Sequence, residues 1–199
     1  MEIGAVITAA GMSSRMGEFK PMLSIGTISI AQRVTATLRQ AGAEKMVMVT
    51  GNNAEELERH LSKSRVIFLR NENYASTQMF DSAKIGLEYL QGKCDVVLFT
   101  PVDVPLFTAA PVRALLASGA PLACPVCGGQ PGHPILMSAE VIDRVLTDSG
   151  ERGLQGALER CGVPMTQVEV EDPGILMDVD TPADYAELLE VHNSQLFRP

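Results

Sequence analysis

The chain has 199 residues, 46% apolar and 20% charged, with a formal net charge of −8 at pH 7. That length suits one globular domain over residues 1–199 with a core of useful size. The acidic balance argues against nonspecific binding to nucleic acid or anionic membranes, but a local cationic loop could still hold a phosphorylated small molecule. No apolar stretch is long enough to span a membrane. The N-terminus lacks the basic, apolar and cleavage segments of a signal peptide, so the cytoplasm is the expected location.

Taken in order, apolar runs alternate with amphipathic stretches. Residues 3–9 read as a strand, Ser29 to Gln40 as a helix closed by Gly42, and 45–50 as a second strand. A helix over 54–61 and a strand over 65–69 follow, then a helix from Gln78 to Leu90 ended by Gly92. DVVLFT at 95–100 is apolar almost throughout, as expected of a strand buried on both faces. Next come a helix over 108–116, a strand over 121–126, short helices near 138–146 and 153–160, and a strand near 165–170. A helix starting at Pro182 ends the pattern, with the residues from His192 expected to fray. Strand–helix alternation of this kind predicts an open, mostly parallel sheet covered on both faces, whose ligands sit beyond the carboxyl ends of the strands.

TAAGMSSRMGEFK at 8–20 follows the first strand, at that binding edge. Ala9, Ala10 and Gly11 keep bulk away, so backbone N–H groups can approach an anion. Arg15 adds a planar cationic fork and Lys20 a point charge, and a triphosphate is the natural guest. The spacing is not Walker A, because five residues separate Gly11 from Gly17 and Lys20 lies three further on. The G-x-G-x-x-G fingerprint of dinucleotide enzymes is also absent.

Phosphate binding of this kind calls for a divalent metal to share the charge. Asp103, in TPVDVPLF at 100–107, lies just beyond the buried strand, where two prolines hold a turn. In MDVDTPADY at 177–185, a capping box of Thr181 and Asp184 with Pro182 at the first helical position accounts for three residues. It leaves Asp178 and Asp180 unexplained. Asp180 is the favoured second metal ligand and Asp178 a helper. Cys124 and Cys127 form a C-x-x-C, which is half a zinc site with no second half. The simpler reading is two small hydrophobes at a strand end.

Together, T-A-A-G-x-S-S-R-M-G-x-x-K, Asp103 after a buried strand, QPGHPILMS at 130–138 and DVDTPADY at 178–185 resemble the MobA-like nucleotidyltransferases over nearly the whole chain. Within them the set is most similar to the molybdenum cofactor cytidylyltransferases, which join CMP to molybdopterin. The resemblance implies a three-layer α/β/α sandwich with a mostly parallel Rossmann-like sheet, of the nucleotide-diphospho-sugar transferase type, and Mg²⁺ dependence. It implies that Ala9, Ala10 and Gly11 contact the nucleotide, that Arg15 and Lys20 grip its phosphates, and that Asp103 and Asp180 hold the metal. Asn71 and Ser82 join the binding set, and His133 with Pro134 lies near the acceptor. One departure stands out: Gln78 occupies a position where the family commonly has glycine. The implied substrates are CTP and a phosphorylated pterin, with a molybdoenzyme or its chaperone as a protein partner. A-A-G, where the guanylyltransferases usually read A-G-G, leans toward CTP over GTP. The alternatives are a sugar-1-phosphate nucleotidyltransferase, a guanylyltransferase, a nucleotide-binding carrier module and, least favoured among binders of nucleotides, a dinucleotide-dependent oxidoreductase.

Overall fold

The structure, a computed structural model, describes residues 1–12 and 14–196, with the side chains of residues 195 and 196 left aside. Ile3–Ala9 forms β1, whose continuous apolar run is buried from its second residue onward. Its side chains alternate between two cores, as strand geometry requires. Ala5, Ile7 and Ala9 face one layer, and Val6 faces the other.

A short hairpin of β2 (Ser24–Ile25) and β3 (Ile28–Ser29) leads into α1 (Ile30–Gln40). Ser29 caps that helix. Its hydroxyl accepts the Gln32 N–H at 3.1 Å while the Gln32 carboxamide accepts the Ser29 N–H at 2.8 Å, a reciprocal capping box. The strands β4 (Lys45–Thr50) and β5 (Ile67–Arg70) flank α2 (Ala54–His60), and α3 (Met79–Leu90) leads to β6 (Val96–Pro101). Then come α4 (Ala109–Ala117), β7 (Leu122–Cys127), β8 (Gln130–Pro131), β9 (Ile135–Ser138), α5 (Ala139–Leu146), α6 (Gly153–Arg160), β10 (Thr166–Glu169) and α7 (Pro182–Leu196).

The main sheet runs β10-β7-β9-β6-β1-β4-β5, with β8 paired to β7. The β1/β4, β1/β6, β4/β5 and β7/β10 pairs are parallel. β9 is antiparallel to both β6 and β7. On one face, Val34 and Leu38 of α1, Leu57 of α2, Val112 and Leu115 of α4 and Leu188 of α7 pack on the strands. On the other, Phe80, Leu87 and Leu90 of α3 pack with Val141 and Val145 of α5 and Leu154 of α6. This is the expected α/β/α sandwich, with each fully buried Leu or Val contributing about 1.5–3 kcal/mol.

Two expectations need correction, and one pair of strands went unforeseen. The motif at 130–138 carries two strands, and the longer one wedges antiparallel into the centre of the sheet. The strand expected at 65–69 is Ile67–Arg70, because Val66 precedes the pairing of Ile67 with Val47. The tail does not fray from His192: α7 continues to Leu196 and His192 is buried at 8% exposure. Residues 197–199 of that expected fraying lie outside the described residues.

Candidate active site

The loop after β1 floors a small pocket. Ala9 and Ala10 are buried and Gly11 is exposed. With Thr8, Lys20, Gln78, Met79, Ser82 and Asp103 they line a pocket of about 170 Å³. Gly11 lines this pocket, and a Cβ on it would meet nothing within 4 Å. Gly51 holds the opposite wall close. A Cβ there would lie 2.7 Å from Tyr74 and 3.0 Å from Ala10, so only glycine lets the 71–78 loop approach the opening loop.

Asn71 and Ser82 both belong to this region, in different roles. The Asn71 carboxamide donates to the Thr77 hydroxyl at 2.8 Å and to the Ser82 hydroxyl at 3.0 Å, and its carbonyl accepts the Asn73 N–H at 3.0 Å. Asn71 is buried and absent from the pocket wall, so it shapes the loop, whereas Ser82 lines the pocket. Gln78, at the N-terminal end of α3, donates its backbone N–H to the Asp81 carboxylate at 2.8 Å and also lines the pocket.

Lys20 begins a 3₁₀ turn over Lys20–Met22, fixed by buried Pro21 and by the Leu23 N–H donating to Lys20 O at 3.1 Å. Its ammonium donates to Asp180 Oδ1 at 2.8 Å and to Asp103 Oδ2 at 3.1 Å. Arg15 donates to the other Asp180 oxygen at 2.8 Å. Burial lowers the Lys20 pKa, but the bonds and charges of Asp180 and Asp103 outweigh it and raise the value above normal. Asp180 is held below the usual carboxylate range by its bond to Lys20, against burial and with further help from Arg15.

Backbone contacts explain how residues so distant in sequence meet. The Val179 N–H donates to Asp103 O at 2.8 Å. Asp172 accepts from the Thr108 N–H and hydroxyl, both at 2.8 Å, and from the Gly174 N–H at 2.9 Å. A Cβ on Gly174 would lie 2.4 Å from Leu106 O, so that residue must be glycine. Finally, the Asp184 carboxylate accepts the Thr181 N–H at 2.7 Å and the Asp180 N–H at 3.0 Å, while the Thr181 hydroxyl accepts the Asp184 N–H at 3.2 Å. The expected capping box therefore also orients Asp180. Asp172 and Gly174 went unassigned in the sequence, although a D-P-G ahead of an acidic turn is a legible loop signal.

His133 forms part of two further cavities. One, about 380 Å³, is lined by Asp103, Asp178 and Asp180 with Met79 and His133. The other, about 790 Å³, is lined largely by apolar groups including Phe99, Ile135, Leu154, Leu158 and Met165. Met79 borders all three cavities and is 52% exposed. Burial pushes the His133 pKa down, opposed by the Asp103 charge and a Phe99 backbone bond. The Asp178 pKa is raised by burial and by the charges of Asp180, Asp103 and Asp184.

The acids suit a hard divalent ion. Asp103 and Asp180 already converge on one cation, and both offer carboxylate oxygens. Among the described residues, no three His, Cys, Asp or Glu side chains form a ready-made metal cage, so a metal here needs phosphate oxygens and waters to complete its shell. Cys124 is buried in β7 with its pKa raised by burial, and Cys127 ends the same strand. Their i, i+3 placement puts them on opposite faces, as small strand residues rather than a metal pair.

A bulk-free loop with two cations, facing two convergent acids at the carboxyl edge of a mostly parallel sheet, defines a nucleotidyltransferase-type site. The comparisons with known proteins agree. The chain belongs to the MobA-like NTP transferase domain family, which matches residues 5–168. It is 32% identical over 187 residues to molybdenum cofactor cytidylyltransferase of Escherichia coli (strain K12), spanning 92% of this chain and 93% of that one. In structure it is similar to a nucleotidyl transferase from Methanothermobacter thermautotroptrophicus, with a TM-score of 0.84, 23% identity, and 98% and 99% of the two chains covered. A manganese complex of Rv0371c from Mycobacterium tuberculosis H37Rv gives a TM-score of 0.76 at 21% identity, covering 96% and 99%. No described helix is long and apolar enough to cross a membrane.

Proposed function

We propose that the protein transfers CMP from CTP to the terminal phosphate of molybdopterin and releases pyrophosphate, acting in the cytoplasm and passing its product to a molybdoenzyme or its chaperone. The observation that carries the reading is the meeting of Lys20, Asp103 and Asp180 where the pocket under the opening loop adjoins the acidic cleft, which shares His133 and Met79 with the apolar groove. The family and the E. coli relative support the choice of substrates. So does the groove, whose described lining is mostly apolar with Glu159 the one carboxylate and no Lys or Arg, which suits a flat heterocycle.

In this reading an oxygen of the acceptor phosphate attacks the α-phosphorus of CTP. The bond from that phosphorus to the bridging oxygen breaks, and pyrophosphate leaves in line with both bridging electrons. The nucleophile is already anionic, so no side chain need remove a proton. Ala9, Ala10 and Gly11 accept the nucleotide against backbone N–H groups, while Lys20 and Arg15 stabilise charge on its phosphates. Asp103 and Asp180 would hold Mg²⁺, which supplies charge neutralisation at the phosphates when bound. Ser82 borders the nucleotide and His133 the acceptor.

The test is pyrophosphate release with Mg²⁺, molybdopterin and CTP, GTP, ATP or UTP in separate reactions. Release with CTP alone is expected. Release with GTP instead moves the protein to the guanylyl branch, and release with none overturns the proposal. Asp103→Ala should abolish turnover in a folded protein, and Lys20→Ala should lower kcat more than it raises KM.

A further inference from the structure

Lys20 is shared by the two acids assigned to the metal. Its ammonium lies within 3.1 Å of both carboxylates, and Arg15 takes the remaining Asp180 oxygen. The Lys20 side chain is 12% exposed, while Asp103 and Asp180 are 25% and 27% exposed. Lys20 also lines the nucleotide pocket, and Asp103 and Asp180 line the adjoining acidic cleft, so the ammonium stands on the border between them. Asp178 adds a third carboxylate to that cleft. Clustered acids of this kind cannot lose their cation without a replacement, because their mutual repulsion in a partly desolvated cleft is costly.

We propose that Lys20 is a placeholder cation. It occupies the carboxylate cradle until a divalent ion takes Asp103 and Asp180, and it then turns its ammonium to the phosphates of the nucleotide. This rests on the metal reading above and adds to it an exchange that couples the two ligands. A divalent ion entering the cradle frees the group that grips phosphate, and phosphate drawing Lys20 away opens the cradle. By linkage the coupling is reciprocal: each ligand strengthens the other by the same factor. The resting protein therefore holds its phosphate-binding cation in check and has low affinity for either ligand alone.

The exchange is tested by titrating Mn²⁺ into the full chain without nucleotide and following free Mn²⁺ by electron paramagnetic resonance. Lys20→Met opens the cradle and should tighten Mn²⁺ binding by about tenfold or more, because a unit positive charge within contact distance of the ion is removed. Lys20→Arg keeps a cation on the acids and should stay near wild type. Asp103→Asn added to Lys20→Met should lose the gain. Mn²⁺ binding by Lys20→Met that is equal to or weaker than wild type overturns the exchange while leaving the metal reading intact. Failure of every variant to bind Mn²⁺ overturns both. The unfolding temperature of each variant, read alongside, separates loss of fold from loss of site, and Lys20→Arg carries the comparison if Lys20→Met is unstable. Tight Mn²⁺ binding by Lys20→Arg would also overturn the proposal.

Discussion

Gly132→Ala probes the joint between the GHP loop and the acidic turn. An added Cβ would lie 2.3 Å from the backbone oxygen of Ile175 and 2.8 Å from its carbonyl carbon. Real Cβ contacts do not fall below 3.0 Å and ordinary ones start at 3.4 Å, so the two segments must separate by about 0.7 Å at least and about 1.1 Å to reach an ordinary contact. The same Ile175 oxygen accepts the His133 N–H at 3.0 Å, and that bond would be lost. Losing it costs about 1 kcal/mol, and the overpacking costs about 1–3 kcal/mol. The unfolding temperature of a chain this size should then fall by roughly 5–15 °C. The shift also moves His133 away from Asp178 and Asp180, which line one cleft with it. A displacement of about 1 Å near the chemistry can cost about a hundredfold in rate. Calorimetry and steady-state pyrophosphate release measure the two effects. A Gly132→Ala protein with wild-type melting and turnover would refute the close-approach argument.

Gly11→Ala should behave oppositely. With nothing within 4 Å of the added methyl, melting stays near wild type, while nucleotide affinity measured by calorimetric titration should drop by about tenfold or more if phosphate approaches the Gly11 backbone as proposed. The His192 pKa is lowered by burial and by the Arg33 charge. Its folded value lies below 6.5, so the unfolded chain binds the proton first, and stability is lost as pH falls below 6.5 toward the folded pKa. His192→Gln should flatten the melting-temperature slope between about pH 7 and 5, and an unchanged slope would count against the burial argument. The Asp148 pKa is lowered to about 2 by Arg160, helped by the Gly150 N–H. Its contribution is present above the ordinary 3.8 and is lost as pH falls through 2. Carboxyl ¹³C titration should place its midpoint near 2, and a midpoint near 3.8 would show that the pair is not formed.

The parts of the fold legible in the sequence were those whose cause is local. β1, β4 and β6 are continuous apolar runs in the buried middle of the sheet, and each was located to within a residue or so. The Thr181–Asp184 box was legible because capping depends on spacing alone. β9 was not, because four residues behind a Gly-His-Pro do not announce a strand, and its place between β6 and β7 is a long-range choice. His192 was misjudged because its burial comes from packing beneath the hairpin near Gly26, not from its neighbours in sequence. At the site, Asp103 was legible by its place just past β6, and Lys20 and Asp180 by residue type within the opening loop and the acidic turn before α7. That the lysine lies between the two acids was not, since sequence gives the sign of a charge but not its partner. Asn71 shows the same limit: the residue stood out, but its bonds to Thr77 and Ser82 make it a support for the pocket and not part of its wall.

The pairing of Lys20 with Asp180 spans 160 positions of the chain. During synthesis at about 5–20 residues per second, the lysine emerges roughly ten to thirty seconds before its acid exists. Until the Val179 N–H reaches Asp103 O, the nascent protein carries Arg15 and Lys20 without the Asp180 carboxylate that pairs with both. The contact between Val179 and Asp103 is thus a completion step. If Lys20 exchanges between acids and phosphate as proposed, that step turns an unrestrained cationic loop into a site that takes its ligands together.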